Sequence, residues 1–243
     1  MTALRRIFTF AAVCAATHCG NSGIYDEALT EYYRVVRSGL NEWYPLNGNL
    51  SSRVGSFSGT ATGSYTNGVN RAGENAKAIC ITSTPNMELN FNSAPTISPP
   101  FTVTLWVKVN QLPALTKALF QKGTSATSMH GFKIEIINPS GVLQAAFSNG
   151  IAGDAVLSGP VATMGQWYYV AFSYDGGSGS FYVGQYGATL THVGTAINTF
   201  GNVTPLRAFG NTTNTVDGCI DDFLHYSRAL SADEVKQNFL TLE

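Results

Sequence analysis

An all-β sandwich with one short helix near each end is the fold that the sequence predicts, and three observations carry the prediction. First, Phe101–Val109 (FTVTLWVKV) alternates without a break. Phe101, Val103, Leu105, Val107 and Val109 share one face, and Thr102, Thr104, Trp106 and Lys108 share the other, which is the pattern of a half-buried strand. Second, short β-like runs recur along the chain between turn signals. QWYYVAFSY and SFYVG flank the glycine-rich DGGSG at 175–179, as the arms of a hairpin would. Third, charged residues make up only 12% of the chain while glycines number 25. That is about half the usual ~25% of charged residues, so solubility falls to the Gly, Ser, Thr and Asn of many turns. The 243 residues suffice for one such domain, which at roughly 200 residues buries about 70% of its unfolded surface without a staple.

The chain opens MTALRRIFTFAAVCAATHCGNSG. Arg5 and Arg6 precede an apolar run over 7–16 that is too short to span a bilayer and reads as a secretory signal. The run ends at His18-Cys19-Gly20, which resembles the cleavage site of a bacterial lipoprotein. The resemblance implies a signal over 1–18, a lipid on Cys19, and a mature chain anchored to the outer membrane or cell surface without a spanning helix. The alternative is cleavage after Ala16 and a freely secreted protein. With Cys14 inside the signal and Cys19 acylated, Cys80 and Cys219 remain. In an exported chain they invite a disulfide, the alternative being two buried free thiols. No cysteine spacing suggests zinc.

Residues 19–39 read as a tether and a short helix. Over 28–39 (ALTEYYRVVRSG), Leu29, Tyr32, Tyr33 and Val36 fall at helical spacing, and Gly39 supplies a C-terminal cap. The sandwich is expected over 40–243. It begins with a strand at 43–46 whose Pro45 argues for an edge or a bulge, and a Gly/Ser/Thr/Asn-rich stretch follows over 47–76. Strands are expected at 78–81, 101–109, 118–121, 131–137, 142–147, 155–157, 166–174, 180–184, 206–209 and 219–226. The tail is helical: Ser231-Ala232-Asp233-Glu234 is a capping box, with Val235, Phe239 and Leu240 as the apolar stripe behind it.

Three segments together resemble the LamG-like jellyroll domain of the concanavalin A-like lectin/glucanase superfamily. They are FTVTLWVKV at 101–109, GQWYYVAFSYDG at 165–176 with the FYV strand beyond it, and GCIDDFLHYSRALSADE at 218–234. WYPLNGN at 43–49 fits the family's opening more loosely. Order and spacing agree over 40–240. The resemblance implies two antiparallel sheets packed face to face, with the first and last strands adjacent and the Cys80 strand near the Cys219 strand.

It also sets expectations for chemistry. Hydrolases on this superfold carry closely spaced carboxylates on one strand, the arrangement that retaining hydrolysis needs. Here Glu135 stands alone, and the neighbours Asp221 and Asp222 are expected to point to opposite faces. His130, His192 and His225 sit in no nucleophile motif, and the G-x-S-x-G elbow is absent. Related domains hold a structural Ca²⁺ where the first and last strands meet, and the matching positions are Asn47 and Asp221. Asn47 stands where the family has an aspartate, and Arg53 occupies a loop where the family has a further acid. For a sugar platform the aromatic candidates are Tyr186 and Phe200, while Trp106, Trp167 and Tyr169 belong to the sandwich. Net charge is −1, with no basic stripe for nucleic acid. The expectation is a non-catalytic surface module that binds carbohydrate or extracellular-matrix ligands. The rival is a structural envelope protein that contacts other proteins, and a glycoside hydrolase is a remote third.

Overall fold

In the computed structural model the described residues are 34–81, 88–91, 97–123, 130–150, 153–199, 206–208, 210–211 and 214–241. Residues 1–18, Cys19 and Phe200 lie outside them. The strands in chain order are β1 (Leu40–Tyr44), β2 (Thr60–Thr62), β3 (Thr66–Gly68), β4 (Ala78–Ile81), β5 (Glu88–Asn90), β6 (Phe101–Val109), β7 (Lys117–Lys122), β8 (His130–Ile136) and β9 (Val142–Asn149). They continue with β10 (Ala155–Val161), β11 (Trp167–Tyr174), β12 (Ser178–Gln185), β13 (Leu190–Ile197), β14 (Leu206–Ala208), β15 (Gly210–Asn211), β16 (Asn214–Thr215) and β17 (Gly218–Tyr226), and the helix α1 (Ala232–Leu240) follows.

Two antiparallel sheets make the sandwich. One runs β13-β12-β11-β6-β17-β4-β3 with β1 on the far half of β17, and the other runs β10-β9-β8-β7-β14-β5-β2. β17 organises the first sheet. Its Gly218–Ile220 pair with Ile81–Ile79 of β4, while Phe223–Tyr226 pair with β1. β1 and β17, at opposite ends of the domain's sequence, are therefore neighbours in space, as the family resemblance implied. Cys219 faces Cys80 in that register, and the two form a disulfide.

The space between the sheets is filled by the inward face of each alternating strand, including Phe101, Val103 and Leu105 of β6, Phe132 and Ile134 of β8, and Phe172 of β11. Aromatic rings run through it: Phe101 meets Phe132 at 5.2 Å and Phe147 meets Phe172 at 5.2 Å, offset or tilted as ring quadrupoles prefer.

β6 departs from the half-buried pattern its sequence suggests. Its second face, with Thr102, Thr104 and Trp106, is buried as well. A second apolar cluster covers it, built from Trp106, Tyr169, Tyr226 and Leu224 on the sheet and from Val35, Val36, Val235 and Phe239 above it. α1 forms as expected. Ser231 caps it, and the Glu234 side chain accepts from the Ser231 backbone N–H, the reciprocal bond of a capping box. Phe239 lies so close to Gly184 that a Cβ there would come within 2.7 Å of its ring.

Of the helix expected over 28–39, residues 28–33 lie outside the described residues, while 34–37 are irregular and 38–39 form a turn. Tertiary partners take the backbone groups that a helix would use. The Val36 N–H donates to Asn238 Oδ1 at 2.9 Å, the Val36 carbonyl accepts from Tyr226 Oη at 3.1 Å, and the Arg34 carbonyl accepts from Gln237 Nε2 at 2.8 Å. The segment is a strap across the sheet beside α1.

Candidate functional site

Because α1 and the strap cover the middle of the larger sheet, the outer face stays open toward its β12–β13 edge. On that face Tyr182 lies opposite His192, and Ser180 lies opposite Thr195. The Tyr182 and His192 rings stack with centroids 4.7 Å apart and planes at 30°. The Ser180 and Thr195 hydroxyls are 2.7 Å apart, and Thr195 Oγ1 is 3.3 Å from His192 Nε2. The row extends inward, because Ser180 pairs with Ser173 and Ser173 with Thr102, whose hydroxyl donates to Ser173 Oγ at 3.1 Å. His192 and Thr195 are exposed and Ser180 half-buried, while Tyr182 is buried beneath the imidazole. Burial, tempered by the Ser180 side chain, pushes the Tyr182 phenol above its ordinary pKa, so it remains an O–H donor at neutral pH. A flat exposed ring stands beside a ladder of hydroxyls that can donate and accept.

Tyr186, the aromatic singled out from the sequence, stands at the end of the same hairpin. It is 39% exposed, with its ring edge-on to Trp106 at 5.9 Å. Trp106, Trp167 and Tyr169 are packing residues of the covered face, as expected. The Tyr182–His192 pair is not legible in the sequence because β13 itself is not. LTHVGTAI has no clean alternation, and a bulge between Phe181 and Tyr182 shifts the register.

On the outer face of the second sheet, Glu135 Oε2 pairs with Lys133 Nζ at 2.9 Å, Glu135 Oε1 accepts from Gln144 Nε2 at 3.0 Å, and Gln144 Oε1 accepts from Ser158 Oγ at 3.2 Å. Glu135 is therefore held in a bonded chain and has no second carboxylate beside it on these strands.

Asp221 and Asp222 do not diverge as alternation predicts. The register of β17 against β6 slips between Asp221 and Leu224, and Asp222 adopts a positive φ of 44°. The bulge turns both carboxylates onto one arginine: Arg71 Nη1 lies 2.6 Å from Asp221 Oδ2, and Nη2 lies 2.7 Å from Asp222 Oδ2. The other oxygen of Asp222 accepts from Trp43 Nε1 at 3.0 Å. The guanidinium carbon sits 4.7 Å from the Trp106 ring centre, a favourable distance for a cation over an aromatic face.

These residues do not suit the calcium expected from the resemblance. Ca²⁺ takes six to eight oxygens, whereas Asp221 faces a guanidinium that would repel the ion. Asn47 lies in the turn after β1, where its carbonyl accepts from Asn49 Nδ2 at 3.3 Å. No group of three or more His, Cys, Asp or Glu side chains comes together among the described residues.

His225 points into the sandwich and is 1% exposed. Burial, with a contribution from the Lys122 ammonium, holds its imidazole down at about 4. Lys122, also interior, donates to the Ile97 carbonyl at 2.8 Å, and burial lowers it to about 8. Glu42 pairs with His225 across β1 and β17. Burial raises the Glu42 carboxyl, and the hydroxyls of Ser52 and Tyr44 temper that rise without completing a hydrogen bond to it. All three side chains are buried.

The sequence profile of the concanavalin A-like lectin/glucanases superfamily matches residues 82–236. No curated protein sequence matches the chain. Among solved structures, domain 4 of AbnA, an extracellular arabinanase from Geobacillus stearothermophilus solved in complex with arabinotriose, is 21% identical with a TM-score of 0.57. The alignment covers 85% of this chain and 100% of that one. The binding domain of botulinum neurotoxin DC in complex with SialylT is 14% identical with a TM-score of 0.60, covering 84% of this chain and 52% of that one. A Trypanosoma rangeli sialidase is 15% identical with a TM-score of 0.51, over 85% of this chain and 33% of that one. At these identities the likeness is one of fold.

Proposed function

This chain belongs to the concanavalin A-like lectin/glucanase superfamily, and from that premise we propose that it is a non-catalytic binding module whose ligand is a glycan. The observation that carries the reading is the open β12–β13 face, where the exposed His192 ring is stacked on Tyr182 beside the hydroxyls of Ser180 and Thr195. A sugar offers an apolar ring face flanked by hydroxyls, and this surface presents the complement of both. The stack is already formed, so little side-chain freedom is lost on binding. Tyr186 extends the platform at the end of the hairpin.

The non-catalytic part of the reading draws support from the carboxylates. Glu135 is tied to Lys133 and Gln144, and Asp221 and Asp222 are tied to Arg71. The domain is proposed to work outside the cell, exported by residues 1–18 and held to the membrane by lipid on Cys19. The Cys80–Cys219 disulfide supports an oxidising compartment. The neurotoxin DC binding domain has also been solved with rat synaptotagmin II, at 12% identity, which makes a protein ligand the second reading.

The test is a glycan array probed with the wild-type domain and with His192→Ala and Tyr186→Ala. Glycan signal that falls at least about tenfold in His192→Ala, a loss of roughly 1.4 kcal/mol, is expected. An array silent throughout sinks the glycan reading in favour of a protein partner, and binding indifferent to His192 moves the site elsewhere.

A further inference from the structure

We propose that Arg71 is a cation built into the domain: its guanidinium fills the place between Asp221 and Asp222 and makes the fold independent of a bound divalent metal. The two carboxylates are adjacent in the chain and both are buried, at 3% and 10% side-chain exposure. Two like charges so placed repel each other, and neither is tolerable away from water without a partner. The local backbone is bent to bring them together, since Asp222 is held at a positive φ that non-glycine residues seldom adopt. Such a pair needs a cation, and Arg71 supplies it with one arm for each carboxylate.

The guanidinium is itself shielded. Arg71 has 2% side-chain exposure, and its carbon lies over Trp106. Its second arm also reaches toward the Thr241 carbonyl at 3.4 Å. One side chain thereby joins the turn between β3 and β4, the bulge of β17 and the end of α1. The formal charge that a single guanidinium leaves uncompensated is spread by the Trp43 indole N–H on Asp222. A planar cation suits this geometry, with two forked donors meeting two carboxylates and an aromatic face behind. Among the described residues, the two carboxylates do not by themselves supply the six to eight oxygens that a calcium ion takes. A small pocket beside Arg71 and Asp222, lined also by Trp43 and Asn238, has room for about one water molecule. Shortening the arginine would enlarge that space.

Thermal melts test this directly. Wild-type domain, stripped with chelator, is expected to melt at the same temperature with and without about 5 mM calcium chloride. Arg71→Ala is expected to melt roughly 10 °C lower, as removal of one partner from a buried ion pair implies for a domain of this size. Guanidinium chloride at about 20 mM should recover several degrees of that loss, beyond sodium chloride at equal ionic strength. Calcium that raises the wild-type melting temperature overturns the proposal. So does an Arg71→Ala variant that melts like wild type, or one rescued by calcium and not by guanidinium. If Arg71→Ala does not accumulate folded, Arg71→Lys is melted in its place: a lower melting temperature, again unmoved by calcium, supports the forked-donor role, and an unchanged one overturns it.

Discussion

Breaking the Cys80–Cys219 bridge is the perturbation whose size follows most directly from the topology. The two cysteines are 139 residues apart in sequence, so in the unfolded chain the bond closes a loop over most of the sandwich. The chain-entropy relation gives about 5 kcal/mol for a loop of that length. For a domain of this size, each kcal/mol moves the melting temperature by about 2–4 °C. Reduction, or the double substitution Cys80→Ser with Cys219→Ser, should therefore lower the midpoint by roughly 10–20 °C. The folded state itself changes little when the bond is broken. Cys219 and Cys80 still face each other in the β17–β4 ladder, and Gly68 next to them leaves room for the sulfurs. Most of the effect therefore comes from the unfolded state, and the folded spectrum should not change. Scanning calorimetry with and without reductant, on wild type and on the double variant, gives the midpoints, and circular dichroism of the folded protein checks the spectrum. A midpoint that moves by less than about 3 °C refutes the reasoning, since the unfolded chain would then already hold the two strands together.

Two further perturbations test the buried surfaces. Gly184→Val places a side chain against Phe239, where even a Cβ would come within 2.7 Å. It should cost about 1–3 kcal/mol and move tryptophan emission as α1 lifts from Trp106, and unchanged emission and stability would mean that the helix is not seated there. The interior His225, held at about 4 against an ordinary 6.5 by burial and by Lys122, leaves the unfolded chain binding the extra proton between those values. Stability should therefore rise by about 3 kcal/mol as pH climbs from 4 to 6.5. His225→Leu should remove that rise and expose the opposite slope from Glu42, whose raised pKa makes stability fall as pH rises through the carboxylate range. A variant that keeps the wild-type rise in a pH series of melts rules out His225 as its source.

What the sequence can and cannot reveal divides along a physical line. β4 and β6 match their predicted bounds, β11 and β17 come within a residue, and the α1 capping box forms as predicted, because in each the signal is local: a period of two, or a cap and its partner three residues on. Pro45 carries a local signal too, since β1 stops at Tyr44 just before it. β13 gives none, because an edge strand with one face open needs no regular apolar pattern. The stretch 34–37, at the end of the run with helical spacing, is irregular. Its Val35 and Val36 are apolar for the sake of α1 and Tyr226, which are about 190–200 residues away along the chain. Alternation fails at Asp221 and Asp222 for a related reason. A one-residue bulge reverses facing, and nothing within a few residues of it announces the arginine that makes the bulge tolerable.

The same distant contacts decide which face of the domain is left for a ligand. From its alternation alone, β6 presents Thr102, Thr104 and Trp106 on a face opposite the core, open to solvent as in a half-buried strand. The strap and α1 reverse that, burying Trp106 under Phe239 at 5.5 Å and committing Thr102 to the turn into the helix, where it accepts from the Leu230 N–H at 2.9 Å. Arg71 then binds the end of that cover to β17 from below. With the middle of the sheet closed by the protein's own chain, β12 and β13 keep exposed aromatic and hydroxyl groups on that face. The closing elements and the open edge are thus one arrangement. A change that loosens α1, at Gly184 or at Arg71, should alter the proposed glycan binding at His192 without touching that residue, and the same array reads it.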